Sequence, residues 1–152
     1  MKKRVTLIFT LLLTVFSLGS CLESYESSRS VVDAYLQESG VQGRIYSSEA
    51  GPEDGEYMSE ELRSIMFGDV ELPSDFTLLV HSRLDSLTEL GVFKVESADE
   101  GLRISELAAE RIELLRTLAD GDGDVTVRCD LVIYCFGTDK EKMKETLSRI
   151  LS

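Results

Sequence analysis

Val125-Thr-Val-Arg-Cys-Asp-Leu-Val-Ile-Tyr-Cys-Phe136 is the most strongly β-forming stretch of the chain, rich in β-branched and aromatic residues. It reads as a hairpin turning at Cys129-Asp130, with Cys135 opposite Asp124. Its second half, 131–136, is apolar on both faces, as expected of an interior strand. Gly137 breaks it. On either side lie helical patterns. Ser97-Ala-Asp-Glu100 is a capping box, in which the serine accepts from the third amide and the glutamate reaches back. The helix it opens runs to about Ala119, with Ile104, Leu107, Ala108, Leu115 and Leu118 on its apolar face. Arg103, Arg111 and Arg116 stand three or four positions from acidic residues. Thr138-Asp-Lys-Glu141 opens a last helix, which buries Met143, Leu147, Ile150 and Leu151.

Upstream, Phe76-Thr-Leu-Leu-Val-His81 and Leu90-Gly-Val-Phe-Lys-Val95 read as an antiparallel pair of strands joined by a connection over 82–88. Ser59 begins a helix that ends at Gly68. Its Met58, Leu62, Ile65 and Met66 recur at helical spacing. The acidic, breaker-rich run 47–56 is an exposed loop, and 41–46 is a short extended segment. Ser30 is placed to cap a first helix over 31–39. The order α, α, β-β, α, β-β, α makes an α+β domain. It predicts a small antiparallel sheet of about four strands with helices packed on one face.

The N-terminus has a different character. Lys2, Lys3 and Arg4 precede Val5-Thr-Leu-Ile-Phe-Thr-Leu-Leu-Leu-Thr-Val-Phe-Ser-Leu18, an apolar run of fourteen residues. A spanning helix needs about 20, so the run suits a signal peptide better. Leu18-Gly-Ser-Cys21 looks like a lipobox, the cleavage and acylation motif of bacterial lipoproteins. That likeness implies cleavage before Cys21 and acylation of its sulfur. Two or more acyl chains at about 0.8 kcal/mol per buried methylene give stable anchoring. The chain thus divides into a lipoprotein signal peptide over 1–20, a lipidated cysteine and tether over 21–30, and one α+β domain over 31–152.

Removing 20 of the 152 residues leaves 132, one domain's length. The signal takes three basic residues and no acidic ones. Lys+Arg therefore falls from 16 to 13 against 28 Asp+Glu, a net charge of −15. Such a surface repels nucleic-acid phosphates and anionic headgroups, so nucleic acid is not an expected partner. The membrane is expected to be held through the lipid on Cys21 alone. Tryptophan is absent and aromatics are 7%, which argues against a sugar-stacking platform.

From about 58 to 151 this order resembles a family of uncharacterised clostridial-type lipoproteins, classed only as a domain of unknown function. The resemblance is carried by Glu89-Leu-Gly-Val-Phe-Lys94, the long charged helix after it, the Leu131-Val-Ile-Tyr134 strand and the closing helix. It implies a surface lipoprotein and supplies no activity or site residue.

Few groupings point to chemistry. Asp120-Gly-Asp-Gly-Asp124 places three carboxylates at alternate positions, as a calcium loop does. The EF-hand pattern fails at its sixth position, Val125, and its twelfth, Leu131. Asp120, Asp122 and Asp124 are the candidate metal ligands, and an acidic turn is the plainer reading. His81 is the only histidine, which excludes a multi-histidine metal site within one chain. His81 with Cys129 or Cys135 is the sole base–thiol combination, and no orienting group is visible for it. Cys129 and Cys135 would lie about 20 Å apart along one strand, and in the hairpin Cys135 faces Asp124. Neither arrangement meets the ~7 Å limit for a disulfide. Paired carboxylates could serve a glycosidase, but 28 acidic residues make pairs unavoidable. The expectation is a lipid-anchored extracytoplasmic binding or interaction module, non-catalytic and without cofactor, whose ligand or protein partner is unspecified. The alternatives are a small carboxylate-dependent envelope hydrolase and a calcium-stabilised surface domain.

Overall fold

The structure, a computed structural model, describes residues 27–83 and 86–152. The signal peptide, Cys21 and the first part of the tether lie outside the described residues. In chain order the elements are α1 (Ser28–Ser39), β1 (Arg44–Ser47), α2 (Glu60–Phe67), β2 (Asp75–Arg83) and β3 (Ser86–Lys94). They continue with α3 (Ala98–Leu118), β4 (Asp122–Arg128), β5 (Leu131–Gly137) and α4 (Lys140–Ile150). The strands form one antiparallel sheet in the order β1-β2-β3-β5-β4.

The class is α+β, as the sequence predicts, with five strands rather than about four. The fifth is β1, which pairs Arg44–Ser47 with Val80 to Thr77 of β2. The helices do not all pack on one face. Residues alternate along each strand between two cores. Leu78, Phe93, Val132, Tyr134 and Phe136 meet α2 and α3. Leu79, Leu90, Val92, Ile133 and Cys135 meet α1 and α4. The physical reason lies in β5, all seven of whose residues are buried. A central strand apolar on both faces exposes one of them unless each is covered.

The hairpin at the heart of the sequence forms as predicted. Arg128 pairs with Leu131 across Cys129-Asp130, and Asp124 pairs with Cys135. Cys129 takes φ 53°, a left-handed conformation that glycine or asparagine adopts at less cost. The β2–β3 hairpin is longer than expected. Ser82 pairs with Leu87 and Arg83 with Ser86, so most of the expected connection is strand. Polar side chains there sit on a solvent-facing extension, which a reading keyed to hydrophobicity takes for loop.

Helix starts shift by small amounts. Ser27 rather than Ser30 caps α1, and Ser30 completes the capping box with it. Ser28 to Ser30 are therefore helix rather than tether. Ser97 caps α3 as predicted, but Glu100 reaches the amide of Glu96 at 2.7 Å, one residue before the cap. Asp139 rather than Thr138 caps α4. In α3, Ile112 is buried, and Leu118, expected on the apolar face, is 66% exposed.

Helix α1 is joined to the sheet by polar contacts as well as apolar ones. Ser28, fully buried, donates its hydroxyl to Asp75 at 2.5 Å and lies 2.8 Å from the Thr77 hydroxyl. The Ser28 amide also donates to the Asp75 carboxylate at 3.1 and 3.3 Å. A carboxylate at a helix N-terminus meets unpaired amides and the positive end of the dipole, so Asp75 anchors the first turn of α1 to the sheet.

Candidate functional site

The least ordinary chemistry in the domain is a buried ionic cluster linking β3, β5 and α3. Glu89 lies on β3 with its side chain 1% exposed, and Arg111 of α3 is 9% exposed. Arg111 Nε and Nη2 donate to the two carboxylate oxygens of Glu89, each at 2.8 Å. The Tyr134 hydroxyl donates to Glu89 Oε1 at 2.5 Å. Arg111 also reaches the Met66 carbonyl at 3.4 Å, and its guanidinium lies 5.8 Å from the centre of the Phe67 ring. This is the bidentate geometry in which a carboxylate and a guanidinium are both satisfied.

Local sequence dictates the arrangement. Glu89, Gly91 and Phe93 share one face of β3 by the period of two. Gly91 pairs with Tyr134 across the strands, and the tyrosine ring lies over it. A Cβ at position 91 would stand 2.1 Å from Tyr134 Cε1. The missing side chain lets the ring lie flat against the strand, stacked on Phe93 at 6.1 Å, with its hydroxyl brought back to Glu89. Burial, reinforced by the Glu89 charge and hydrogen bond, holds the Tyr134 phenol well above its ordinary range. Burial pulls the Arg111 guanidinium down, but Glu89 more than offsets it, so the net shift is upward. Every strong donor in the cluster points at Glu89. Three donors converge on the Glu89 carboxylate, whose side chain is 1% exposed, so the arrangement holds a buried charge in place.

The acidic run 120–124 does not converge on a point. Asp122 and Asp124 lie in β4 on the face toward α4, and Gly123 between them faces Ile112 of α3. Asp122 meets Lys140 at 2.5 Å and also pairs with Arg116, so one carboxylate ties α4 to α3 around the sheet edge. Asp124 meets Lys144 at 2.7 Å. The Lys140, Arg116 and Gly123 hydrogen bonds hold Asp122 far below the usual carboxylate range. Lys144 lowers Asp124. The Asp122 and Asp124 side chains also accept from the amides of Gly123 and Val125. Asp120 sits apart in the turn. Among the described residues no group of three or more His, Cys, Asp or Glu side chains is placed to hold a metal ion.

His81 and Cys135 do not assemble as a base and thiol either. His81 lies on β2 and Cys135 on β5, with β3 between them and a two-residue stagger along the strands. Strand spacing puts their Cα atoms about 12 Å apart, beyond hydrogen-bond reach. Cys135 is a free, buried thiol, pushed up to about 11 by burial, so it stays protonated and carries no bridge to Cys129. Arg103 and Arg116 pair with Glu100 and Glu113 three positions away, as expected, whereas Arg111 turns inward to Glu89.

No family model matches this chain, and no curated protein or solved structure is significantly similar to it.

Sequence reasoning missed Glu89 and Arg111 as a pair. The signals were a lone acidic residue leading into Leu-Gly-Val-Phe, and an arginine one position before Ile112 on the buried stripe of α3.

Proposed function

We propose that this chain is a lipid-anchored extracytoplasmic binding module with no catalysis of its own. The observation that carries the reading is Leu18-Gly-Ser-Cys21 directly after a basic and apolar leader. The start of the domain supports it. Ser27 caps α1 and Ser28 is tied to Asp75, so the described structure begins six positions after Cys21. At about 3.5 Å per residue they reach roughly 20 Å, which keeps the domain near the bilayer while its −15 charge holds it off anionic headgroups. No helix among the described residues is long and apolar enough to cross a membrane, and the acyl chains supply the attachment in this reading. Glu89, a fully buried carboxylate, is engaged by Arg111 and Tyr134, so it serves the fold in this reading.

The test is expression of the full chain and of Cys21→Ser in a bacterial host. The native protein should partition with membranes and into detergent, and its mass should show a new N-terminus at a diacylglyceryl-modified Cys21. The variant should appear in the soluble fraction. An unmodified soluble product would overturn the proposal.

A further inference from the structure

A cleft of about 260 Å³ opens between the end of β1, the start of α2 and the loop before β2. Its walls carry Met58, Leu72, Pro73 and Phe76, of which Met58 is buried at 2% exposure. Arg63 of α2, Glu71, Tyr57 and Ser74 supply its polar groups. Arg63 stands out by its burial. Its guanidinium, like those of the more exposed Arg44, Arg83 and Arg128, makes no ion pair among the described residues. Its Nε is buried without a hydrogen-bond partner. An unpaired buried donor on a charged group is costly, and native structures keep such groups where something else completes them. The Tyr57 and Ser74 hydroxyls also face the cleft, Ser74 exposed and Tyr57 half-buried, with no hydrogen bond to protein among the described residues. Glu71 lines the same cleft but does not come within ion-pair distance of Arg63, and only its backbone carbonyl is used, by Arg103.

The cleft thus offers one cation and one anion held apart, hydroxyls beside them, and an apolar floor. We propose that it binds a free apolar α-amino acid as its zwitterion. Arg63 takes the carboxylate in its guanidinium fork, Glu71 takes the ammonium group, and the side chain lies on Met58 and Leu72. A simple anion would meet Arg63 but also the Glu71 charge, and a simple cation the reverse, so a ligand carrying both charges fits best. The volume falls below the 300–1,000 Å³ typical of drug-sized ligands, which suits one amino acid rather than a longer peptide. The inference stands whether or not Cys21 is acylated, and its test reads binding rather than membrane attachment.

The experiment is NMR titration of the full-length protein in detergent with each of the twenty L-amino acids at millimolar concentration. Methyl and ring signals of Met58 and Tyr57 are the reporters. Apolar amino acids, leucine among them, should shift these signals saturably. N-acetyl-leucine, which lacks the ammonium charge, and leucinamide, which lacks the carboxylate, should each bind at least about tenfold more weakly. Arg63→Met should weaken leucine at least about tenfold with the fold intact, since it removes an unpaired buried donor. Arg63→Lys should retain part of the affinity, and Glu71→Gln should narrow the gap between leucine and N-acetyl-leucine. No saturable shift with any amino acid would overturn the proposal. So would undiminished binding by Arg63→Met, or equal binding of leucine and both analogues.

Discussion

Glu89→Leu strands the Arg111 guanidinium, and the cost can be worked from the contacts. Arg111 loses two 2.8 Å hydrogen bonds and its one counter-charge among the described residues. It keeps a 3.4 Å contact to the Met66 carbonyl and its place over Phe67. Breaking a buried pair from one side costs about 3–5 kcal/mol. Tyr134→Phe removes one hydrogen bond to a charged acceptor and leaves Glu89 with its bidentate partner, for about 1.5–3 kcal/mol. Arg111→Met leaves the buried carboxylate with Tyr134 alone and should cost about as much as Glu89→Leu. The triple variant Glu89→Leu, Arg111→Met, Tyr134→Phe removes every polar member together. Replacing such a set by apolar groups of similar size is often neutral or stabilising, so the triple variant should lie within about 2 kcal/mol of the native protein. The assay is urea unfolding followed by circular dichroism, with the midpoint read at constant slope. For a domain of this size each kcal/mol moves the melting temperature by roughly 3–6 °C, so the single charge deletions should lower it by about 10 °C or more. Additive losses, with the triple variant the least stable of the set, would refute the reasoning. So would a Glu89→Leu cost under about 1 kcal/mol.

Gly91→Ala places a methyl carbon where the Tyr134 ring stands and should cost about 3 kcal/mol, from overpacking and a weakened Tyr134–Glu89 bond. Tyr134→Phe should not rescue it, because the clash is with ring carbons. At alkaline pH the folded state keeps Tyr134 and Cys135 protonated, and Tyr35 is pushed up to about 12 by burial. The unfolded chain ionises at lower pH, so stability is full below about pH 8.5 and falls as pH rises through the folded values. Near-ultraviolet phenolate absorbance of Tyr35 and Tyr134 should appear only together with loss of the fold. Asp122 and Asp124 are lowered in the folded state, so their contribution is present above about pH 4 and is lost as pH falls through the folded values. Lys144→Met should therefore be less stable than the native protein at neutral pH and equal to it in strong acid. Millimolar calcium should leave the melting temperature unchanged, because Lys140, Lys144 and Arg116 already hold these carboxylates. A rise would restore the calcium reading.

What could be read from the sequence was what periodicity encodes. The 125–136 hairpin came through in register, down to Asp124 opposite Cys135, because its apolar run and its strand lengths leave one pairing. The double-sided burial of the sheet was written in the same run. Leu131-Val-Ile-Tyr-Cys-Phe136 has no polar face, and a helix layer on one side cannot cover it. Strand β1 and the outer β2–β3 hairpin were less legible because Arg44, Ser82, Arg83 and Ser86 pair by backbone while their side chains meet water. Backbone pairing at a solvated edge leaves little hydrophobic signature. The α1 start was missed for a related reason. Ser27 and Ser30 are both competent caps, and only the distant Asp75 and Thr77 decide between them.

The ionic cluster was hidden for a stronger reason, and that reason bears on what it does. Glu89 and Arg111 are 22 residues apart on elements of different type, and in isolation each reads as a surface charge. Gly91 lets Tyr134 lie across the strand, and Tyr134 aims its hydroxyl at the same buried carboxylate. Slipping β5 by one residue along β3 would move Tyr134 to the opposite face and leave Glu89 and Arg111 without it, in a site too dry for water to substitute. An apolar triad would pack about as well but would penalise that slip far less. We therefore expect the triple apolar variant to keep its stability while losing uniqueness, visible as broadened or doubled amide resonances along β3 and β5. A single sharp set of signals from that variant would show that the strand register rests on the two hydrophobic cores alone.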